Sequence, residues 1–306
     1  MAAQRAVCER HSSIVPKGDC RLSGQSDAIA KVDPRVFEPV AIDDPDDPRL
    51  AAYRFVRERD LVGRQGRFIV EGEVTLRLLF SGSARFAAES VLLAPERWAG
   101  LSDLFAQRAD GPPVYLAGRD VMSAVAGFPI HRGVLAVGLR GAEPAPEALI
   151  PPAPAPALVV GLVGLTNHDN VGGLFRNAAA FGADAVWLDA EACDPLYRKA
   201  IRVSAGAALT VPFARAASGA ALLDLAERHA LTPLALTPGG DETLDALEPP
   251  SRALLLLGTE GPGLPDAVMA RARRLRIAMA PGFDSLNVAT AGAIALHHLA
   301  GRRLSG

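Results

Sequence analysis

Six short, almost wholly apolar runs in the second half of the chain constrain its fold more than any other feature: Leu158–Leu165, Ala185–Leu188, Val211–Ala214, Pro233–Leu236, Ala253–Leu257 and Leu275–Met279. Stretches of helical character separate them, for example Ala220–His229 and Pro265–Ala272. Strands that are apolar on both faces must be covered on both faces, and brief strand-to-helix links favour parallel neighbours. The expectation is an α/β domain over residues 158–306 with a mostly parallel sheet. In such sheets ligands gather beyond the carboxyl ends of the strands.

Immediately upstream, Gly141–Ala157 reads GAEPAPEALIPPAPAPA. Such Pro/Ala density cannot build a core and tends to be extended, which predicts a semi-rigid linker. Before it, residues 46–140 again alternate strand and helix. Strands are expected at Phe68–Val70, Val91–Ala94, Val114–Ala117 and Gly133–Leu139, with helices at Ala51–Asp60, Val74–Phe80, Leu101–Arg108 and Asp120–Ala126. This is a second, smaller α/β domain. Residues 1–45 are polar and without periodicity, and are expected to form a disordered leader.

Composition removes several classes of function. A net charge of -2 gives no global basic field, so a nucleic-acid partner would need a local patch. Cys8, Cys20 and Cys193 are widely spaced and odd in number, which speaks against a disulfide framework or a zinc site and fits a reducing compartment. Glu242, Asp245 and Glu248 read as a solvated face, so no metal is expected. The apolar runs are far shorter than the ~20 residues of a membrane helix. A cytoplasmic location without membrane association is therefore expected.

Three polar stretches each follow an apolar run and can converge at one edge of the parallel sheet. In the first, Asn170-Val-Gly-Gly-Leu-Phe-Arg176, Asn170 fits either a helix N-cap or a site residue, and Arg176 either a surface or a ligand-facing position. His168 and Asp169 beside it are explained by loop polarity. The second, Leu257-Gly-Thr-Glu-Gly-Pro-Gly-Leu264, offers backbone groups to a ligand through its glycines, while Glu260 orients either a partner or the turn. It is not a GxGxxG motif, and the chain has no Walker lysine. In the third, Ser285-Leu286-Asn287 opens a long Ala/Leu helix; Ser285 is an adequate cap, and Asn287 can face the same pocket. His297 and His298 lie further down that helix and read as interface or surface residues.

Together these stretches resemble the three motifs of the SpoU/TrmH branch of the SPOUT RNA methyltransferases. The matching elements are Asn170 with Arg176 and the following Phe181-Gly182, LGTEGPGL at 257–264, and Ile277 spaced before Leu286-Asn287; RVSAGA at 202–207 is similar to a further family segment. The resemblance spans about residues 157–304. FIVEGEVTLRLL and HRGVLAV, at 68–79 and 131–137, look like parts of the family's ribosomal-protein-like RNA-binding domain.

The resemblance implies a deep trefoil knot in the C-terminal α/β sheet, with S-adenosylmethionine held at it by Thr237, Gly258, Ile277 and Leu286. It implies a homodimer that methylates a ribose 2′-hydroxyl of RNA, ribosomal rather than transfer RNA. Asn170, Arg176, Glu260, Ser285 and Asn287 match the family's catalytic positions; family proposals make Arg176 the proton acceptor, whereas a guanidinium, which rarely deprotonates at neutral pH, is expected to fix the RNA phosphate and stabilise the developing alkoxide, passing the proton onward. The smaller domain would select the RNA, and Arg54, Arg57, Arg59, Arg64 and Arg67 are candidates for phosphate contact or, equally, a solvated charged face. A non-catalytic RNA-binding protein and a tRNA base methyltransferase are the other readings.

Overall fold

The computed structural model describes residues 38–54, 58–106, 111–283 and 285–304. The expected leader lies outside these as far as residue 37, and so does Arg57. The strands are β1 (Val40–Ala41), β2 (Arg67–Glu71), β3 (Ala87–Leu93), β4 (Val114–Leu116), β5 (Val134–Leu139), β6 (Ala157–Leu162), β7 (Ala185–Leu188), β8 (Phe213–Arg215), β9 (Thr232–Leu236), β10 (Glu242–Thr243), β11 (Arg252–Leu257) and β12 (Arg273–Arg276). The α-helices are α1 (Glu58–Gln65), α2 (Glu73–Leu79), α3 (Arg119–Ala126), α4 (His168–Ala180), α5 (Arg198–Val203), α6 (Gly219–Arg228), α7 (Asp266–Met269) and α8 (Val288–Leu304).

The strands form two sheets. The first has five strands in the order β1-β4-β3-β5-β2, with β5 antiparallel to both neighbours and β4 parallel to β1 and β3. Its folded part begins before Asp46, which corrects the leader expectation: Val40 and Ala41 pair in parallel with Tyr115 and Leu116. Residues 51–60 are not one helix either. A 3-10 turn covers Pro48–Tyr53, with the Asp47 side chain accepting from the Arg49 amide, and α1 begins separately at Glu58. Of the helix expected over 101–108, residues 101–106 carry a 3-10 turn at Ser102–Leu104, and residues 107–108 lie outside the described residues.

The second sheet has seven strands in the order β10-β12-β9-β11-β6-β7-β8, and every pair is parallel. Strand β11 at its centre is wholly buried, as its run of leucines requires. Strand β8 starts at Phe213 rather than Val211 and β6 ends at Leu162 rather than Leu165, while β12 lies at 273–276 rather than 275–279. Its arginines hide it from a hydrophobic reading. They are tolerated because Arg273 pairs with Glu242 at 2.8 Å and Arg274 with Asp241 at 2.7 Å. Ile277 and Met279 are thereby released beyond the strand's carboxyl end.

The Pro/Ala segment is pinned rather than free. Proline lacks an amide donor but keeps its carbonyl, and Arg252, 6% exposed, donates to the carbonyls of Pro151, Ala155 and His229. Trp187 Nε1 donates to the Pro146 carbonyl at 3.1 Å. Contacts also bridge the two sheets: the Arg85 amide donates to Leu209 at 3.0 Å, and Arg140 pairs with Asp194 at 2.5 Å.

Helix α4 meets α5 at Gly172, where an added Cβ would lie 2.7 Å from the Ala200 carbonyl oxygen and 2.9 Å from Val203 Cβ. Alanine favours a helix interior over glycine by about 1 kcal/mol. Backbone neighbours cannot swing away, so overpacking at about 1–3 kcal/mol should outweigh that gain. Gly172→Ala is expected to lower the urea midpoint; an unchanged or higher midpoint would show that α5 yields.

Candidate active site

The site is assembled by helix-start chemistry. At α4, Asn167 rather than Asn170 is the N-cap, its Oδ1 accepting from the Asp169 amide at 2.8 Å. Asn170 is thereby placed inside the first turn, facing inward and 4% exposed. Its Nδ2 donates to Glu260 Oε1 at 2.9 Å. At α8 the cap is Asn287 rather than Ser285: its Oδ1 accepts from the amides of Ala289 at 2.9 Å and Thr290 at 3.3 Å. That leaves Asn287 Nδ2 free to donate to Asn170 Oδ1 at 2.9 Å and to Glu260 Oε1 at 3.2 Å. One residue from each polar stretch thus joins a single hydrogen-bonded triangle.

A cavity of about 410 Å³ lies against this triangle. Thr237, Gly258, Ile277 and Leu286 all line it, together with Glu260, Ser285 and Asn287. Gly258 is required by close backbone approach, since a Cβ there would come within 2.4 Å of the Gly263 carbonyl carbon. The loop closes through a bridge between Thr259 and Gly263, with Gly261 and Gly263 at φ of 91° and 73°. Volume and mixed lining suit a ligand of nucleoside size.

Two of the expected residues stand apart from the cavity. Asn170 lies behind its wall, bonded to Glu260 and Asn287. Arg176 is exposed on α4 and, among the described residues, makes no ion pair. The neighbours of Asn170 are packing and surface groups: His168 rests against the Tyr197 ring at 5.2 Å, and Asp169 pairs with Lys199 at 2.7 Å. His297 packs edge-on against Phe181, and a His298 ring nitrogen lies 2.9 Å from the Leu247 carbonyl oxygen. Burial pushes the Cys193 thiol up to about 12, which makes it a poor nucleophile at neutral pH.

Of the arginines proposed for RNA, the described ones have separate surroundings. Arg67 is held by Glu89 through two bonds of 2.6 and 2.8 Å, Arg54 lies beside Asp46 at 3.2 Å, and Arg64 is exposed at the end of α1. The Arg59 side chain lies outside the described residues. Sequence reasoning missed a different group, Arg97, Arg119, His131 and Arg132, which line a second cavity of about 300 Å³. The available signal was positional: each follows the end of β3 or β4 or precedes β5.

Among the described residues no group of three His, Cys, Asp or Glu side chains could hold a metal ion, and no helix is long and apolar enough to cross a membrane. The profile of the SpoU rRNA Methylase family matches residues 157–297. An uncharacterized tRNA/rRNA methyltransferase of Mycobacterium bovis is 40% identical over 264 residues, covering 83% of this chain and 89% of that one. This chain belongs to the SpoU family of RNA methyltransferases. The fold is shared with solved structures. The SpoU methyltransferase AviRb from Streptomyces viridochromogenes, in complex with AdoMet, superposes with a TM-score of 0.73 at 24% identity, over 85% of this chain and all (100%) of that one. A structure described as an RNA 2′-O ribose methyltransferase superposes with a TM-score of 0.71 at 25% identity, over 87% and 100% of the two chains.

Asn287 both caps a helix and completes the triangle, and one substitution separates the two. Serine caps as well as asparagine but cannot reach Asn170 or Glu260. Asn287→Ser is expected to keep its unfolding midpoint close to wild type while RNA methylation falls about tenfold or more, the scale of a lost bond to a charged group. Equal losses of stability and activity would show that the residue only caps.

Proposed function

We propose that this SpoU-family enzyme transfers a methyl group from S-adenosylmethionine to a ribose 2′-hydroxyl of structured RNA, ribosomal RNA in preference to transfer RNA. The observation that carries this reading is the Asn170–Glu260–Asn287 triangle set against the cavity. The likeness to a described RNA 2′-O ribose methyltransferase supports the ribose as acceptor.

The cavity residues fit the cofactor by their chemistry. Leu286 and Ile277 offer apolar surface to a flat ring, while Gly258 and Thr237 present backbone groups. S-adenosylmethionine, when bound, supplies a methyl group already activated by a sulfonium. The protein's tasks are then to position the acceptor and to manage its proton. Glu260, oriented by two carboxamide donors, presents a fixed negative group at the cavity wall. Arg176, exposed and without an ion pair among the described residues, is available to an RNA phosphate and to the developing alkoxide. A guanidinium rarely loses its proton near neutral pH, so its part is charge stabilisation rather than proton acceptance.

The same reading extends to assembly and to the chain's path. Phe283, Leu286 and Ile294 are large apolar side chains left 78%, 43% and 40% exposed in or near α8, which supports pairing of two copies there. A trefoil knot is supported by the close passage of Gly240 against the Leu275 backbone, where an added Cβ would lie 2.3 Å from the Leu275 carbonyl carbon.

Arg176→Lys keeps the charge but loses the planar fork. Methyl incorporation into RNA that is unmodified at the target should fall about 100-fold or more, with cofactor binding by calorimetry unchanged. Turnover near wild type would remove Arg176 from the reaction. Alkali-resistant dinucleotides in the wild-type product would establish the ribose as acceptor; a methylated base would replace this reading with base methylation.

A further inference from the structure

The first sheet carries a second cavity that the active site does not use. Because β5 is antiparallel to β2 and β3, and β4 is parallel to β3, one end of this sheet gathers the carboxyl ends of β2, β3 and β4 with the start of β5. The residues just beyond those strand ends are Glu73, Arg97, Arg119, His131 and Arg132, which line the cavity of about 300 Å³ together with Val74. Three arginines face Glu73 in the lining and Glu96 beside it on Arg119, which leaves one positive charge there before His131 is counted. A chain of net charge -2 has concentrated cations at one sheet end.

The arrangement is built rather than incidental. Glu73 accepts from Arg97 at 2.5 Å and from Arg77 at 3.1 Å, and Glu96 holds Arg119 at 2.7 Å, so two of the three forks are aimed by carboxylates. Arg97 Nε is buried with no acceptor, an unmet donor beside the cavity. Arg132 is exposed and, among the described residues, has no ion-pair partner. It lies over Gly72, where φ is 100° and an added Cβ would come within 3.1 Å of Arg132 Nη1.

We infer that this cavity is a phosphate-binding site for the backbone of the substrate RNA, with Arg119 and Arg132 supplying the contacts and Arg97 the inner wall. The inference rests on the proposed RNA reaction. Planar forks match phosphate oxygens, and such contacts fix register without reading sequence. Exposed Val74, 65% accessible, gives sugar or base an apolar surface beside the charges.

The site is tied to the methyltransferase half. Glu71, one residue before Gly72, lies 3.8 Å from Arg202 and 4.0 Å from Arg198 on α5. Helix α5 in turn packs on α4 at Gly172, two residues after Asn170 and one turn before Arg176. RNA held at this sheet end is thus referred to the helix that carries the active site.

The test uses the full chain and ribosomal RNA from a strain lacking the gene. Filter retention measures binding, and methyl incorporation from labelled S-adenosylmethionine measures turnover. Arg132→Gln and Arg119→Gln should each weaken RNA binding about tenfold and reduce the slope of log affinity against log salt by about 0.7–0.9. Arg132→Lys, which keeps the point charge, should recover most of the binding. Cofactor affinity should not move in any of them. RNA binding and salt slope unchanged in both Gln variants would overturn the inference, as would a Lys variant as weak as Gln. Weakened binding by a chain that methylates nothing would uphold this site and remove the proposed reaction, so the two failures are told apart.

Discussion

The contact on which the site depends is the pair of carboxamide bonds converging on Glu260 Oε1, from Asn170 at 2.9 Å and from Asn287 at 3.2 Å. Each partner is delivered by a different piece of backbone: the first turn of α4, the glycine loop after β11, and the cap of α8. Joining three strand-end segments in one network fixes their mutual spacing, and with it the mouth of the cavity. The arrangement also places a cost on failure. A buried asparagine stripped of all its partners would retain unpaired donors and acceptors, whereas Asn170 keeps its bond to Glu260 when Asn287 alone is changed.

Helix capping and active-site geometry are the same chemistry here. Asn287 uses its carbonyl oxygen for the α8 amides and its amide nitrogen for the site, so a single side chain serves both ends. Asn167 does the capping work at α4, which frees Asn170 to point inward. Loops at the ends of a parallel sheet can hold such precision because their anchors are rigid elements. The glycines at 258 and 240 then allow backbone to approach backbone where any side chain would intrude.

Much of this was legible in the residues. Apolar runs located β7, β9 and β11 to within a residue at each end, and the start of β6 to within one, because a strand buried on both faces has no freedom to be polar. Strand β12 was misplaced because its arginines are neutralised by Glu242 and Asp241, a tertiary fact that no local pattern carries. The 3-10 turns at 48–53 and 102–104 were read as helix because propensity does not distinguish one turn from several. At the site, motif resemblance picked three stretches whose Asn170, Glu260 and Asn287 the fold brings together, yet the residues alone could not tell that Asn167 and Asn287, rather than Asn170 and Ser285, cap the helices. For the first sheet, reading along the sequence had a related bias. Clustering along the sequence drew attention to 54–67, whereas cations gather in space at strand ends, as Arg97, Arg119 and Arg132 do.

Both halves of the molecule gather polar side chains at the ends of their strands, one end around a triangle of two carboxamides and a carboxylate and the other around arginine forks. The central claim is that the triangle and its cavity serve ribose methylation. Mass-spectrometric nucleoside analysis of RNA from cells with and without the gene tests it most directly. Loss of one 2′-O-methylated nucleoside from ribosomal RNA is the predicted result. An unchanged set of 2′-O-methylated nucleosides, or loss of a base-methylated one instead, would contradict it.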